Sequence, residues 1–265
     1  MHGSHVRAVV ARVLLLFPLF STLPTQADEL TLAVASNFTA PMQEIASRFE
    51  QHSGHTVKLA FGSSGKFFAQ ISHGAPYQAL FSADQTKPAQ LVTLGLADAT
   101  SRFTYAEGKL ALWSSKPGFV DAEGEVLKRG DFNKLAIANP KLAPYGAAAV
   151  ELLQQLQLET QTRARWVQGE NISQTYQFVA SGNADLGLVA LSQIFKDGKV
   201  AEGSAWIVPA QLYSPIRQDA VVLKHGEHVP AMQEFWAFMH SAEVSAIIRT
   251  YGYGNPSSHG GDNAQ

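Results

Sequence analysis

The chain has 265 residues, 46% of them hydrophobic and 16% charged, with 20 Lys+Arg against 22 Asp+Glu and no cysteine. This is enough apolar material for one large domain or two modest ones. The lack of cysteine rules out a disulfide framework and a thiolate metal site, and the interspersed charges offer no basic stripe for a nucleic-acid partner.

Residues 1–27 read as a secretory signal peptide. His2, His5, Arg7 and Arg12 precede the apolar run 13–20, and Thr25-Gln26-Ala27 closes it with small outer residues, which places cleavage after Ala27. The run is too short for a membrane span of about 20 residues and contains Pro18. The remainder carries 18 Lys+Arg against 22 Asp+Glu, a net of −4. Such a product is expected to be periplasmic and to rely on packing for stability.

In chain order, the apolar pattern predicts a strand over 30–36 and a helix over 39–52, with Met42, Ile45, Ala46 and Phe49 at helical spacing before Gly54. A strand at 56–61, a helix at 64–73 and a strand at 79–82 follow, so a parallel sheet is expected. A second unit repeats the alternation: strands at 109–114 and 134–138, a helix at 147–158, a strand at 165–167, a helix at 173–181 and a buried strand at 186–190. A strand at 220–223 and helices at 232–240 and 244–250 close the chain, and the polar stretch 257–265 reads as a disordered tail. No short-period repeat suggests a solenoid.

The expected fold class is therefore α/β and two-lobed, each lobe a mainly parallel sheet flanked by helices. Residues 28–108 plus 211–256 form one lobe and 109–210 the other, with hinge crossings near Gly108-Lys109 and Ala210-Gln211. Ligands of such sheets lie beyond the carboxyl ends of the strands, here in the interlobe cleft.

One loop invites a nucleotide reading. In Phe61-Gly62-Ser63-Ser64-Gly65-Lys66-Phe67, a phosphate-cradling P-loop would need glycine at Ala60 and a hydroxyl at Phe67, so the motif fails at both ends. What remains is a strand, a turn and a helix start at which Ser63 or Ser64 either caps the helix or donates to a ligand. Three other helix starts resemble it: Ser36-Asn37, Pro144-Tyr145-Gly146-Ala147, and Glu170-Asn171-Ile172-Ser173. Four such N-termini, two per lobe, can hold an anion through oriented N–H groups and hydroxyls without an opposing cation.

The stretches VASNFTAPMQEIASRFEQHSGHTVKLAFGSSGKFFAQ, IANPKLAPYGAAAVELL, GENISQTYQFVASGNADLGLVALSQI, PIRQDAVVLKHG and YGYGNP, in this order, resemble the periplasmic molybdate-binding proteins of ABC importers. The resemblance covers nearly the whole chain after the signal. It implies a type II periplasmic binding fold that closes on molybdate or tungstate, needs no cofactor, catalyses nothing, and delivers the oxyanion as a monomer to a membrane permease. The family's ligand contacts fall on Ser36 and Asn37, on Ser64 with Ser63 beside it, on Tyr145, and on Ile172 through its backbone N–H. Some members place a contacting tyrosine where this chain has Ala190 and alanine where it has Tyr145, so the aromatic contact has moved.

The ligand's chemistry agrees with this set. Molybdate at neutral pH is a fully deprotonated dianion that only accepts hydrogen bonds, whereas phosphate brings a proton and is better served by a carboxylate. Glu170 is the only acid in the four loops and is expected to cap or form a surface salt bridge. Selectivity against sulfate must come from pocket size. The alternatives are the same fold with sulfate or another oxyanion, and an exported enzyme acting on phosphorylated or sulfated small molecules, for which no nucleophile, base and orienting group stand in neighbouring loops.

Other residues take ordinary roles. Lys66 is expected on the solvated rim, Asp84 as a helix cap, and Tyr251 and Tyr253 in the packing of the last helix rather than on iron. The pairs His52/His55 and His225/His228 have no carboxylate or third histidine to suggest a metal and are expected in solvent-facing turns.

Overall fold

The computed structural model describes residues 27–254. The expected tail, and all of the expected signal peptide but Ala27, lie outside them. β1 (Glu29–Ala35) passes through a 3-10 turn at Ser36–Phe38 into α1 (Thr39–Ser53), and β2 (Thr56–Gly62), α2 (Ser64–Ser72) and β3 (Ala79–Phe81) follow as the spacing predicts. α3 (Thr86–Thr93) and β4 (Phe103–Gly108) are additions: α3 is short and holds Pro88, and β4 lacks a clean alternation of buried and exposed residues.

The chain then enters β5 (Leu110–Ser114), α4 (Glu125–Arg129), β6 (Leu135–Ala138), α5 (Pro144–Gln155), α6 (Glu159–Thr162), β7 (Trp166–Gly169), α7 (Ile172–Ala180) and β8 (Leu186–Ala190). α5 begins three residues before the predicted start because Pro144, at its first turn, is pre-set for a helix and has no N–H to leave unpaired. A small hairpin of β9 (Phe195–Lys196) and β10 (Lys199–Val200), then β11 (Ser204–Ile207), β12 (Ile216–Val222), α8 (Pro230–Met239) and α9 (Ala242–Thr250) complete the described chain.

Two five-stranded sheets result, in the orders β2-β1-β3-β12-β4 and β11-β5-β8-β6-β7. β1 is parallel to β2 and β3, while β12 is antiparallel to both β3 and β4, so β12 alone is reversed. In the second sheet β6 is parallel to β7 and β8, and β5 alone is reversed. Each reversed strand is the one by which the chain arrives from the other unit. The expected crossings, at Gly108-Lys109 and Ala210-Gln211, fall between β4 and β5 and between β11 and β12.

Both faces of each sheet are covered, as a largely parallel sheet requires. Leu30, Leu32 and Val34 of β1 join one buried cluster with Met42 and Ile45 of α1 and Phe235 of α8, while Ala33 joins another with Phe67 of α2 and Leu91 of α3. In the second unit Leu135 and Ile137 share a core with Leu152 and Leu153 of α5, and Ala136 one with Val179 of α7. The α5 core also takes in Ala35 and Ala83 of the first unit, so apolar packing continues between the units.

One expectation is corrected. His55 is buried rather than in solvent: its Nδ1 accepts the Asp28 N–H at 3.1 Å, its Nε2 lies 3.5 Å from the Glu234 carboxylate, and its ring stacks on Phe49. Two polar anchors and an aromatic neighbour make burial of this imidazole affordable, whereas His52, His225 and His228 are exposed. Among the described residues no helix is long and apolar enough to cross a membrane.

Candidate functional site

All four helix starts singled out in the sequence lie just beyond carboxyl ends of strands: Ser36 after β1, Ser64 after β2, Pro144 in the connection from β6, and Ile172 after β7. Their first-turn N–H groups lack intrahelical partners and carry the positive end of the helix dipole. Ser36, Asn37, Ser63, Ser64, Tyr145 and Ile172 are all buried, none exposing more than 4% of its surface.

The two serines of the SS turn divide the work. Ser63 is the N-cap of α2, its Oγ accepting the Lys66 N–H at 3.4 Å. Ser64, one residue on, accepts the Ala83 N–H at 2.9 Å, and its own proton is given to none of the described residues. Ser36 Oγ goes further: it is the one buried side-chain polar atom among the described residues with no hydrogen-bond partner. A buried hydroxyl is ordinarily paired, so an orphan at a helix start marks a place for an acceptor.

Tyr145 supplies a third hydroxyl. It accepts from Gln218 Nε2 at 3.1 Å and donates to none of the described residues. Burial foremost, and then the neighbouring phenols Tyr253 and Tyr105, hold its pKa well above the ordinary value of 10.0, so it remains a neutral O–H. Asn37 differs, because its side-chain amide is spent on Gln218 Oε1 at 2.8 Å and Tyr253 Oη at 2.9 Å, which leaves its backbone N–H as its donor at the helix start. Ile172 likewise offers a backbone N–H, with Asn171 as N-cap accepting the Gln174 N–H at 3.0 Å.

The remaining polar contacts tie the two units together. Ser173 Oγ donates to Ser36 O at 3.1 Å, Ser192 Oγ to Asn37 O at 2.8 Å, and Gly65 N to Leu142 O at 2.9 Å. A Cβ on Gly65 would sit 3.0 Å from that Leu142 backbone, so the first turn of α2 approaches the other unit closely. Lys66, the lysine of the failed phosphate motif, forms a 2.8 Å ion pair with Glu170 on the half-exposed rim. Beside the site a cleft of about 340 Å³ runs between the units, past Ala83 and Lys87 on one side and Ala143 and Pro144 on the other.

Other weighed residues take local roles. Asp84 accepts the Lys87 N–H at 3.0 Å at the start of α3, and Tyr251 donates to Glu44 at 2.8 Å with Lys196 over its ring. Ala190 is fully buried, its N–H held by Gln193 Oε1 at 3.0 Å. Among the described residues no three His, Asp or Glu side chains are grouped to hold a metal ion.

Sequence reading missed Tyr105, Ser192 and Gln218. Tyr105 Oη shares its one proton between Gln218 Oε1 at 2.9 Å and Ser82 O at 3.1 Å, and Tyr253 Oη, 2.9 Å from Asn37 O and 3.0 Å from Ser192 Oγ, extends the network. The available signal was the pair Gln218-Asp219 directly before an apolar run, since polar residues inside a covered strand need partners.

Burial raises the pKa of Tyr105, Tyr145 and Tyr253 alike. Below pH 10 both folded and unfolded chains keep these protons. Above it only the unfolded chain ionises, so stability is expected to fall as pH rises, by about 1.4 kcal/mol per tyrosine per pH unit. Melting curves between about pH 9 and pH 11 test this, and a flat profile would contradict it.

The family match spans almost all of the described chain: residues 30–254 match the family described as bacterial extracellular solute-binding protein. The chain is 53% identical over 229 residues to the molybdate-binding protein ModA of Azotobacter vinelandii, covering 86% of this chain and 91% of that one. It is 49% identical over 232 residues to the ModA protein of Rhodobacter capsulatus, covering 87% and 90%. Among solved structures, a periplasmic molybdate-binding protein of Azotobacter vinelandii superposes with a TM-score of 0.83 at 42% identity, covering 86% of this chain and 99% of that one. The chain belongs to the bacterial extracellular solute-binding proteins.

Proposed function

We propose that this protein captures molybdate in the periplasm, takes tungstate as well, and delivers the oxyanion to the permease of an ABC importer without catalysing a reaction. The observation that carries this reading is the set of three buried hydroxyls, Ser36, Ser64 and Tyr145, whose protons are committed to none of the described residues. Together with the N–H groups of Asn37 and Ile172 and the neighbouring Ser63, they form a donor-only environment matched to a dianion whose oxygens only accept. The names of the relatives at 53% and 49% identity support the same ligand.

In this reading the crossings near Gly108-Lys109 and Ala210-Gln211 act as a hinge, and the anion stabilises closure by taking contacts from both units. Ligand-linked melting tests the assignment. Molybdate and tungstate are each expected to raise the melting temperature, corresponding to about 4 kcal/mol at a thousandfold excess over Kd, with sulfate and phosphate leaving it unchanged. A rise with sulfate or phosphate and none with molybdate would overturn the reading.

A further inference from the structure

We infer that Gln218 is a positioning residue: it sets the direction of the Tyr145 hydroxyl proton and thereby makes Tyr145 a donor to the bound anion. The inference rests on the oxyanion reading above and names a residue outside the set proposed to touch the ligand.

Gln218 is fully buried on β12, the reversed strand of the first sheet. Its ladder partner on β4 is Ala106, but the next residue, Asp219, pairs with Thr104, so Tyr105 is an extra residue in a β-bulge. Bulges re-aim side chains, and here Tyr105 Oη reaches Gln218 Oε1 at 2.9 Å. Asn37 Nδ2 reaches the same oxygen at 2.8 Å, so two donors converge on it and the amide nitrogen faces Tyr145 Oη at 3.1 Å. Asn37 is oriented in turn by Tyr253 Oη, 2.9 Å from its Nδ2.

A phenol has one proton and accepts through its oxygen. With an N–H of Gln218 directed at that oxygen, the phenol's proton cannot lie along the same line and turns away from Gln218, free for an acceptor on the other side. An acceptor in place of the amide would reverse this: Tyr145 would donate to it and present a lone pair to the anion.

The test uses the purified protein, titrated calorimetrically with sodium molybdate at about pH 8.5 and about pH 5.5, as wild type, Q218M, Q218E, and Q218E combined with Y145F. The titratable groups around Gln218 are Tyr105 on β4, Tyr145 on α5, Tyr253 near the end of the described chain, and its neighbour Asp219, which lies 3.6 Å from Arg102. Arg217 and Glu107, flanking on β12 and β4, lie 3.7 Å apart.

Q218M is expected to lose about tenfold or more at both pH values, the scale of one charge-assisted hydrogen bond. Q218E is expected to lose about a hundredfold at the higher pH, where the carboxylate accepts the hydrogen bond of the Tyr145 O–H, and to recover about tenfold at the lower, where a protonated acid donates as the amide does. In the Y145F background that recovery is expected to vanish. Wild-type affinity of Q218E at both pH values, or recovery persisting undiminished with Y145F, would overturn the inference, the latter by showing charge repulsion alone. If Q218M fails to fold, the Q218E pair still decides. A wild type that binds no molybdate at either pH would instead overturn the oxyanion reading and this inference with it.

Discussion

Ser36→Ala is expected to weaken molybdate binding by about tenfold or more, while leaving the melting temperature of the ligand-free protein within about 2 °C of wild type. The two halves of this result have one cause. Ser36 Oγ makes no hydrogen bond to the described residues, so its removal leaves no partner unpaired. Other polar side chains of the site lack this property: loss of Asn37 would remove one hydrogen bond each from Gln218 Oε1 and Tyr253 Oη, and loss of Ser64 would strand the Ala83 N–H. A hydroxyl donating to a charged acceptor contributes about 1.5–3 kcal/mol, a factor of about 10–150 in Kd. Unchanged affinity by calorimetry would remove Ser36 from the binding set, and a large drop in the ligand-free melting temperature would make it a structural residue instead.

Gly108→Ala is expected to cost about a hundredfold in affinity, roughly 2.8 kcal/mol, with the ligand-free protein still folded. A Cβ at Gly108 would lie 2.0 Å from Tyr145 Oη and 2.5 Å from Gln218 Nε2, far inside any real contact. The Tyr145 ring is buried in the α5 core, so its hydroxyl cannot retreat without moving the helix. Gly108 ends β4 in the first unit and Tyr145 opens α5 in the second, so the least costly relief is to hold the units apart. Small-angle scattering is then expected to show no compaction on adding molybdate, where wild type is expected to contract. Wild-type affinity with normal compaction would mean that Tyr145 and Gln218 yield more easily than their burial implies.

How much of this was written in the sequence depends on the range of the interactions involved. Helical and strand periods are local, so α1, β2 and β8 stand within a residue or so of where their apolar spacing puts them. The helix starts were also legible, since a serine or asparagine between a strand-like run and a helical one is a local signal. That signal could not separate Ser63 from Ser64. The structure assigns the cap to Ser63, while the Ser64 oxygen accepts the Ala83 N–H that only tertiary packing brings to it, its proton given to none of the described residues.

Lys66 illustrates the same limit. The general exposure of lysine made it a rim residue on sequence grounds, and its partner Glu170 lies 104 positions away, beyond any local reading. His55, expected in solvent, is buried for the same reason: Asp28 and Glu234 come to it from distant parts of the chain.

By itself, the sequence determined the alternating α/β order, the division of that order between two units, and the donor-rich helix starts, because each depends on neighbours a few residues apart. Only the tertiary structure decided which hydroxyls keep a free proton, which strand is reversed in each sheet, and how Tyr105, Gln218 and Tyr145 meet across a bulge. The physical reason is that hydrogen-bond satisfaction is settled between residues up to 216 positions apart, as in the contact of Asn37 with Tyr253, and no local pattern encodes it.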